Sequence, residues 1–535
     1  MLHRFISILF LFPVFIFAQP LDFSNKNLQF PNTNYLDMDS IQLTVTNNSG
    51  FDISVTGIDV FSIYGTKPFY VKDSIFTMTI GNAHDIWVYF EPEQNILHQL
   101  NAVIKTDFRG DYLVTLKGEG HFANVYYSGS YNKREQDLKS SLKTITGQGY
   151  QQQSYSVARD NMYGTIDNVN GDVTCVYTAR VATFNDRPGA NSNNFNCEHT
   201  FPQGFFSQSL PMRSDVHHLF PTDVTSNSQR GNFEFGVVTG NPSWSVGGSK
   251  KGSNGSQTVF EPRDDHKGAV ARALFYFVIR YQDYSNHVQG QEATLRNWFD
   301  QYHPTAWDIQ RNNDIYALQN NRNPFVDYPQ FLKRITTISG NSVAVPVHNL
   351  YVSRDTIDMR NKVDSTLFTT TIVNQGNEAI TLTNFSISNT TNFDFEYAQS
   401  DRLLLPGEGY EIEIRVIPTI VSGVSETLSI ETDIPAMPNV EIALLGEWST
   451  LNTEDLAGNA NVKVFPNPST GEVSLIWENH DKYVVTVFGL KGEKLFSQSM
   501  TSGVNSVDLK DLPAGMYLVE FSNKQEVRRT SLVIE

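Results

Sequence analysis

The sequence predicts a multidomain chain. An α+β domain (residues 123–336) lies between two antiparallel β-sandwiches (19–122 and 346–448), and a small β-sandwich (462–535) ends the chain. Three observations predict it. A chain of 535 residues exceeds what one hydrophobic core organises. Short runs of alternating apolar and polar residues fill both flanks, and the middle changes to helical periodicity.

The first residues, MLHRFISILFLFPVFIFAQP, place Arg4 ahead of an apolar run from Phe5 to Phe17, with Ala18 before Gln19. That is the layout of a secretory signal, residues 1–18. The run is shorter than the ~20 apolar residues a spanning helix needs, so an exported protein without a membrane span is expected.

IQLTVTN, FDISVTGIDV, AHDIWVYFEP, NAVIKTD and DYLVTLKGEG are strand-length runs bounded by Asn, Gly, Asp or Pro. The same order returns later. VTNNSGFDISVTGI (45–58) parallels IVNQGNEAITLTNFSI (372–387), AVIKTD parallels LSIETD, and LKGEG parallels LLGEW. This is an internal repeat of a sandwich unit. Neither copy holds a His/Asp/Glu cluster, so both read as spacers or binding modules.

A linker (449–461) leads to VFPNPSTGEVSL, VTVFGLKGEKL, LPAGMYLVEF and a basic final strand with Lys524, Arg528 and Arg529. Its Pro and Gly residues mark the turns of a small sandwich.

In the middle segment, Leu138, Leu142 and Ile145 recur at helical spacing within 131–146. KGAVARALFYFVIRY (267–281) is an apolar helix, ATLRNWFDQY and residues 305–321 are further helices, and NGDVTCVYTARV (170–181) is a strand. The net charge of −17 argues at first against a polyanionic partner. Residues 123–336, however, carry 20 Lys and Arg against 19 Asp and Glu, so the flanks hold the excess acid.

Three of the twelve histidines fall in CEHTFPQGFFSQSLPMRSDVHHLFPTDVTSNSQRGNFEFG. Asn196–His199 ends one strand and Arg213–Leu219 forms a second that Pro221 ends. Residues 223–230 then make a helical turn carrying Asn227. Strand, loop, strand and helix, with His on the first strand and Asn on the helix, make a ββα-metal finger. A neutral imidazole takes a proton from water, oxygen ligands hold one hard divalent cation, and an arginine grips phosphate. Cys175 and Cys197, the chain's two cysteines, read as one disulfide in an exported protein, with two free thiols as the alternative.

EHTFPQGFF, SDVHHLFPTD, NSQRGNFEFG, VFEPRDDHKGAVARALFYFVIRY and NRNPFVDYPQF resemble, in order and spacing, the blocks of the endonuclease I family of nonspecific nucleases. The resemblance covers residues 124–336. It implies a secreted, metal-dependent, sequence-nonspecific endonuclease acting on DNA, with RNA as a further substrate. His199 would be the general base, and Glu198 with Asn227 would hold Mg²⁺ or another divalent cation such as Mn²⁺ or Ca²⁺. Arg230, one helical turn after Asn227, either reaches the phosphate or fixes the finger through a salt bridge. Of His217 and His218, alternating on a strand, one supports His199 and the other touches substrate. Asp215 caps or orients a neighbour, with metal binding as the alternative, and Glu261 supports the site. Gly204, Glu234 and Asp308 depart from the family's usual Ser, Pro and Glu, away from the base and ligands.

Both flanking units resemble the immunoglobulin-like ASPM/SPD-2/Hydin sandwiches. The C-terminal unit resembles the type IX secretion sorting domain, which implies export through the periplasm, the secretion machinery as a partner, and a secreted or cell-surface location. Two rivals remain. HExxH is absent and Phe195 stands where HxxEH needs its first His, so a zinc hydrolase would need His199, His217 and His218 to converge. A noncatalytic nucleic-acid-binding or adhesive protein is the other.

Overall fold

The computed structural model describes residues 20–61, 66–108, 110–281, 283–359, 367–390, 393–395, 401–416, 423–446, 462–478, 481–489, 493–524 and 526–535. The leader (1–18) and the linker (449–461) expected from the sequence lie outside the described residues. No helix among the described residues is long and apolar enough to cross a membrane.

The chain is multidomain, with a mixed α/β region between regions of β-sheet. In the N-terminal region, one sheet runs Leu21–Phe23, Asp39–Asn47, Ala83–Phe90, Phe69–Val71. The other runs Asn27–Gln29, Asp111–His121, Leu97–Thr106, Ile53–Val60, Phe76–Met78. Leu43 and Val45 of the first sheet share a core with Ile53, Leu100, Ile104 and Val114 of the second. Residues 350–446 repeat this strand order: Leu350–Val352, Leu367–Asn374, Gly409–Val416, Phe393–Phe395 in one sheet and Thr356–Asp358, Asn439–Gly446, Val424–Thr432, Ile380–Ile387, Arg402–Leu404 in the other. The sheets are not wholly antiparallel as expected, because Asn27–Gln29 and Thr356–Asp358 each pair parallel with the strand beside them.

The repeated VTNNSG and IVNQGN segments have a physical reason. Buried Asn47 donates through Nδ2 to the carbonyls of Phe51 and Met78 (2.6 and 3.0 Å) and accepts from Ser49 N–H. Asn374 does the same with Glu378, Leu404 and Gly376 (2.7, 2.9 and 2.9 Å). One carboxamide thus satisfies three backbone groups at a turn where the sheet ladder ends.

The mixed region carries helices α1 (Glu135–Gly147), α2 (Tyr155–Asn161), α3 (Arg187–Ser192), α4 (Val224–Arg230), α5 (Asp264–Arg280), α6 (Glu292–Gln301), α7 (Ala306–Gln319) and α8 (Pro324–Asp327). Helix α5 is buried from His266 to Arg280, as a helix apolar on all faces must be. The single strand expected over 170–181 is instead two, Asp172–Thr174 and Val181–Thr183, paired across a turn. Phe122 stacks on Tyr328 (3.6 Å between centroids), and Arg334 Nη2 donates to Asn95 Oδ1 (2.6 Å), joining this region to the N-terminal sheets.

Replacing Asn374 by Ala leaves two carbonyls and an N–H without their partner, and should lower unfolding free energy by roughly 1–3 kcal/mol. Urea unfolding followed by tryptophan fluorescence measures it, and Asn47→Ala should cost about the same.

Candidate active site

Strand Phe195–His199 pairs antiparallel with Leu219–Asp223, setting Glu198 opposite Phe220 and His199 opposite Leu219. The second strand is therefore shifted from the expected 213–219. Residues 212–214 and 216–218 form 3-10 turns, and Pro221 lies inside the strand, opposite Cys197. Proline, with no N–H to donate, is tolerated there because the facing Cys197 carbonyl accepts from Asn227 Nδ2 (3.2 Å) and the Cys197 N–H donates to Asn196 Oδ1 (2.8 Å). Helix α4 follows at once, capped by Asp223, whose Oδ1 accepts from Ser226 N–H (2.8 Å). It stops at Gly231, whose φ of +53° suits glycine.

Glu198 is 2% exposed. Its Oε1 accepts from Tyr177 hydroxyl (2.9 Å) and lies 3.0 Å from Arg230 Nε, an ion pair whose angle falls outside hydrogen-bond range. Burial raises the carboxyl pKa, and Arg230 and Tyr177 oppose that rise. Arg230 is 1% exposed, donates to the carbonyls of Thr200 (2.5 Å) and Gly231 (2.7 Å), and stacks on Phe235. Its guanidinium is thus engaged with Glu198 and two backbone carbonyls. Asn227 lies half-buried on α4, and its Nδ2 donates to the Cys197 carbonyl (3.2 Å).

His199 Nε2 lies 3.2 Å from the Arg213 carbonyl. A carbonyl only accepts, so Nε2 bears the proton and Nδ1 carries the lone pair. Burial, then the neighbouring His218, holds its pKa well below the ordinary value, so the ring is neutral. The ring packs 5.5 Å from those of Tyr155 and His218.

Because the segment is a 3-10 turn and not a strand, His217 and His218 do not alternate across a sheet. His218 faces His199 and its Nε2 bonds the Met212 carbonyl (2.7 Å). His217 turns the other way, bonding the Asn321 carbonyl (3.0 Å) and packing on Tyr276. The three histidines do not converge, and among the described residues no three His, Cys, Asp or Glu side chains gather as metal ligands.

Asp215 is fully buried. Its Oδ2 accepts from Tyr276 and Tyr281 hydroxyls (2.6 and 2.8 Å) beside Arg280 Nε (3.3 Å), and its Oδ1 from Gln319 (3.0 Å). Burial alone would raise its pKa, but His217, Arg280 and the hydroxyls outweigh it and bring it to about 2. Glu261 bonds Lys267 (2.8 Å) and Val238 N–H (2.9 Å), so it braces a loop and has no bond to the base or to Glu198.

The disulfide expected between Cys175 and Cys197 is not formed; both are free and buried. Each thiol has its own surroundings. Cys175 Sγ bonds Asp223 Oδ2 (3.2 Å) under the α4 cap, while Cys197 Sγ meets the Glu198 carbonyl and the Tyr155 hydroxyl. Tyr177 and Tyr155, which contact Glu198 and His199, were not singled out in the sequence because both come from segments remote from the central window.

A family model described as Endonuclease I matches residues 133–330. An extracellular ribonuclease of Bacillus subtilis (strain 168) is 32% identical over 232 residues, covering 40% of this chain and 78% of the relative. The chain belongs to the endonuclease I family. An extracellular ribonuclease of Bacillus amyloliquefaciens is 30% identical over 234 residues, 39% of this chain and 78% of its own. An extracellular deoxyribonuclease of Aeromonas hydrophila is 32% identical over 117 residues, 22% of this chain and 50% of its own. A model described as a secretion system C-terminal sorting domain matches residues 463–535. This endonuclease I relative is thus a nuclease, secreted or held at the cell surface, with a tail that addresses it to secretion machinery.

Arg230→Ala strands the buried Glu198 carboxylate and should cost about 3–5 kcal/mol of stability, read from urea unfolding. Acid should destabilise the same core. Burial lowers His217 to about 4 and His266 to about 3, with Asp215 and Asp308 opposing. An unfolded imidazole titrates near about 6.5, so below that pH the unfolded chain binds protons the fold does not. The unfolding midpoint should hold above neutral pH and fall as pH drops from about 6.5 towards 4; a flat profile across that window contradicts it.

Proposed function

We propose that this endonuclease I protein hydrolyses phosphodiester bonds of extracellular DNA, and of RNA, without sequence preference and with one divalent cation, most simply Mg²⁺. The observation that carries the reading is the hydrogen bond from His199 to the Arg213 carbonyl, which leaves Nδ1 free to act as a base. The pairing of 195–199 with 219–223 and the helix after it support a ββα-metal finger.

The donor chemistry fits a hard cation. Glu198 takes both of its protein donors on Oε1, which leaves Oε2 as a ligand atom. Asn227 uses its Nδ2 on the Cys197 carbonyl, which leaves its amide oxygen. A divalent cation held there would stabilise the charge on phosphorus-bound and leaving oxygens. His199 Nδ1 takes the proton of a water as that oxygen bonds to phosphorus, and one ester P–O bond breaks with its electron pair on the leaving oxygen. Arg230 holds Glu198 in place and Asp215 holds the turn that orients His199. That its relatives include ribonucleases and a deoxyribonuclease supports backbone recognition over base recognition.

For the rest of the chain we propose a signal (1–18), immunoglobulin-like sandwiches (19–122 and 346–448), a nuclease domain (123–336), a linker (449–461) and a type IX sorting domain (462–535). The duplicated strand order supports the paired sandwiches.

Purified protein should nick supercoiled plasmid and degrade RNA with Mg²⁺ and stop in EDTA. His199→Ala and Asn227→Ala should each lose at least ~100-fold of the rate, the low end of what proton transfer contributes. Cleavage that persists in EDTA removes the metal, and full activity in His199→Ala removes the base.

A further inference from the structure

We propose that Arg159 and Arg213, both stacked on the ring of Tyr155 beside His199, grip backbone phosphates of the substrate. The inference rests on the nuclease reading above and names how the site holds its polyanion.

Arg230, the arginine the sequence offered for phosphate, is spent inside the fold. The guanidinium carbons of Arg159 and Arg213 lie 4.3 and 4.4 Å from the Tyr155 ring centroid, and that ring lies 5.5 Å from the His199 ring. Tyr155 is itself fixed, because its hydroxyl bonds the Cys197 thiol directly before Glu198. Both arginines are half-buried. Among the described residues, neither makes an ion pair or donates a side-chain hydrogen bond, and the Nε of each is buried without a partner.

Their neighbours differ. Arg187, Arg272, Arg280, Arg311 and Arg322 each meet a carboxylate, and Arg180 donates to the carbonyls of Asn193 and Asn194. Two guanidinium groups sharing one aromatic ring repel each other, and cation–π attraction compensates only in part. A phosphodiester supplies what they lack: a negative charge and two oxygens that match the planar fork. Arg213 also ties the two tasks together, since its carbonyl orients His199 while its side chain lies against Tyr155.

The test is binding of a 20-base-pair duplex, followed by fluorescence anisotropy in EDTA over a range of KCl, so that cleavage does not enter. Arg159→Gln and Arg213→Gln should each weaken binding roughly tenfold at low salt and reduce the slope of log K against log salt by about 0.9. Arg→Lys at either position should keep the slope and lose part of the affinity. Thermal unfolding of each variant shows that the fold is intact; if a Gln variant unfolds, its Lys counterpart carries the test through its loss of affinity at unchanged slope. Wild-type affinity and slope in folded Gln variants overturns the proposal, as does a wild-type protein that binds no duplex. His199→Ala, assayed separately on plasmid with Mg²⁺, should fail to cut. If it cuts, the base assignment falls while the arginine pair is still judged by its slope.

Discussion

Everything at this site depends on one buried carboxylate. Asp215 carries a full negative charge with no solvent exposure, which is tolerable only because Arg280, two tyrosine hydroxyls and a glutamine amide surround it. Those partners come from the end of α5, the residue after it and the end of α7, so the charge pins the 212–218 turns to the core. The turns in turn present two carbonyls, Met212 to His218 and Arg213 to His199. The tautomer of His199 is thus set by a carboxylate that does not touch it.

The same logic runs through the second strand. Arg311 pairs with Asp167 (2.8 Å), stacks on Phe220 and donates to the Leu219 carbonyl (2.6 Å). Asp223 caps α4 and receives the Cys175 thiol and the Thr178 hydroxyl. The ribbon and α4 therefore gain their rigidity from polar groups on neighbouring elements, since a two-stranded ribbon and a two-turn helix could not hold themselves. Free Cys175 is part of that support; a disulfide would have withdrawn it from the α4 cap.

What the sequence disclosed follows from range. Helices α1, α5, α6 and α7 were legible because local periodicity or continuous apolarity determines them, and α5 was legible from its composition alone. Glu198, His199 and Asn227 were legible because they fall in compact blocks. The second strand was misplaced by several residues, because the run from Ser214 to Leu219 has strand composition but Asp215 caps a 3-10 turn at His217 (3.2 Å). Nothing in the spacing of Arg230 revealed that it is buried against Glu198. Tyr155 and Tyr177 lie some twenty to forty residues upstream of the strand they support, a separation that no periodicity spans.

Charge raises a final question, since a chain with a net charge of −17 acts on a polyanion. Its excess acid lies outside residues 123–336, and at physiological ionic strength exposed charges are screened over about 8 Å. Exposed acid beyond that distance contributes little to the field at His199. Local groups decide it, and they are used in opposite ways. Arg230, Arg280 and Arg311 neutralise buried carboxylates and leave no net field, whereas Arg159 and Arg213 have no counter-charge of their own. Unpaired positive charge thereby stands beside His199, and the rest of the surface can remain acidic without repelling a polyanion there.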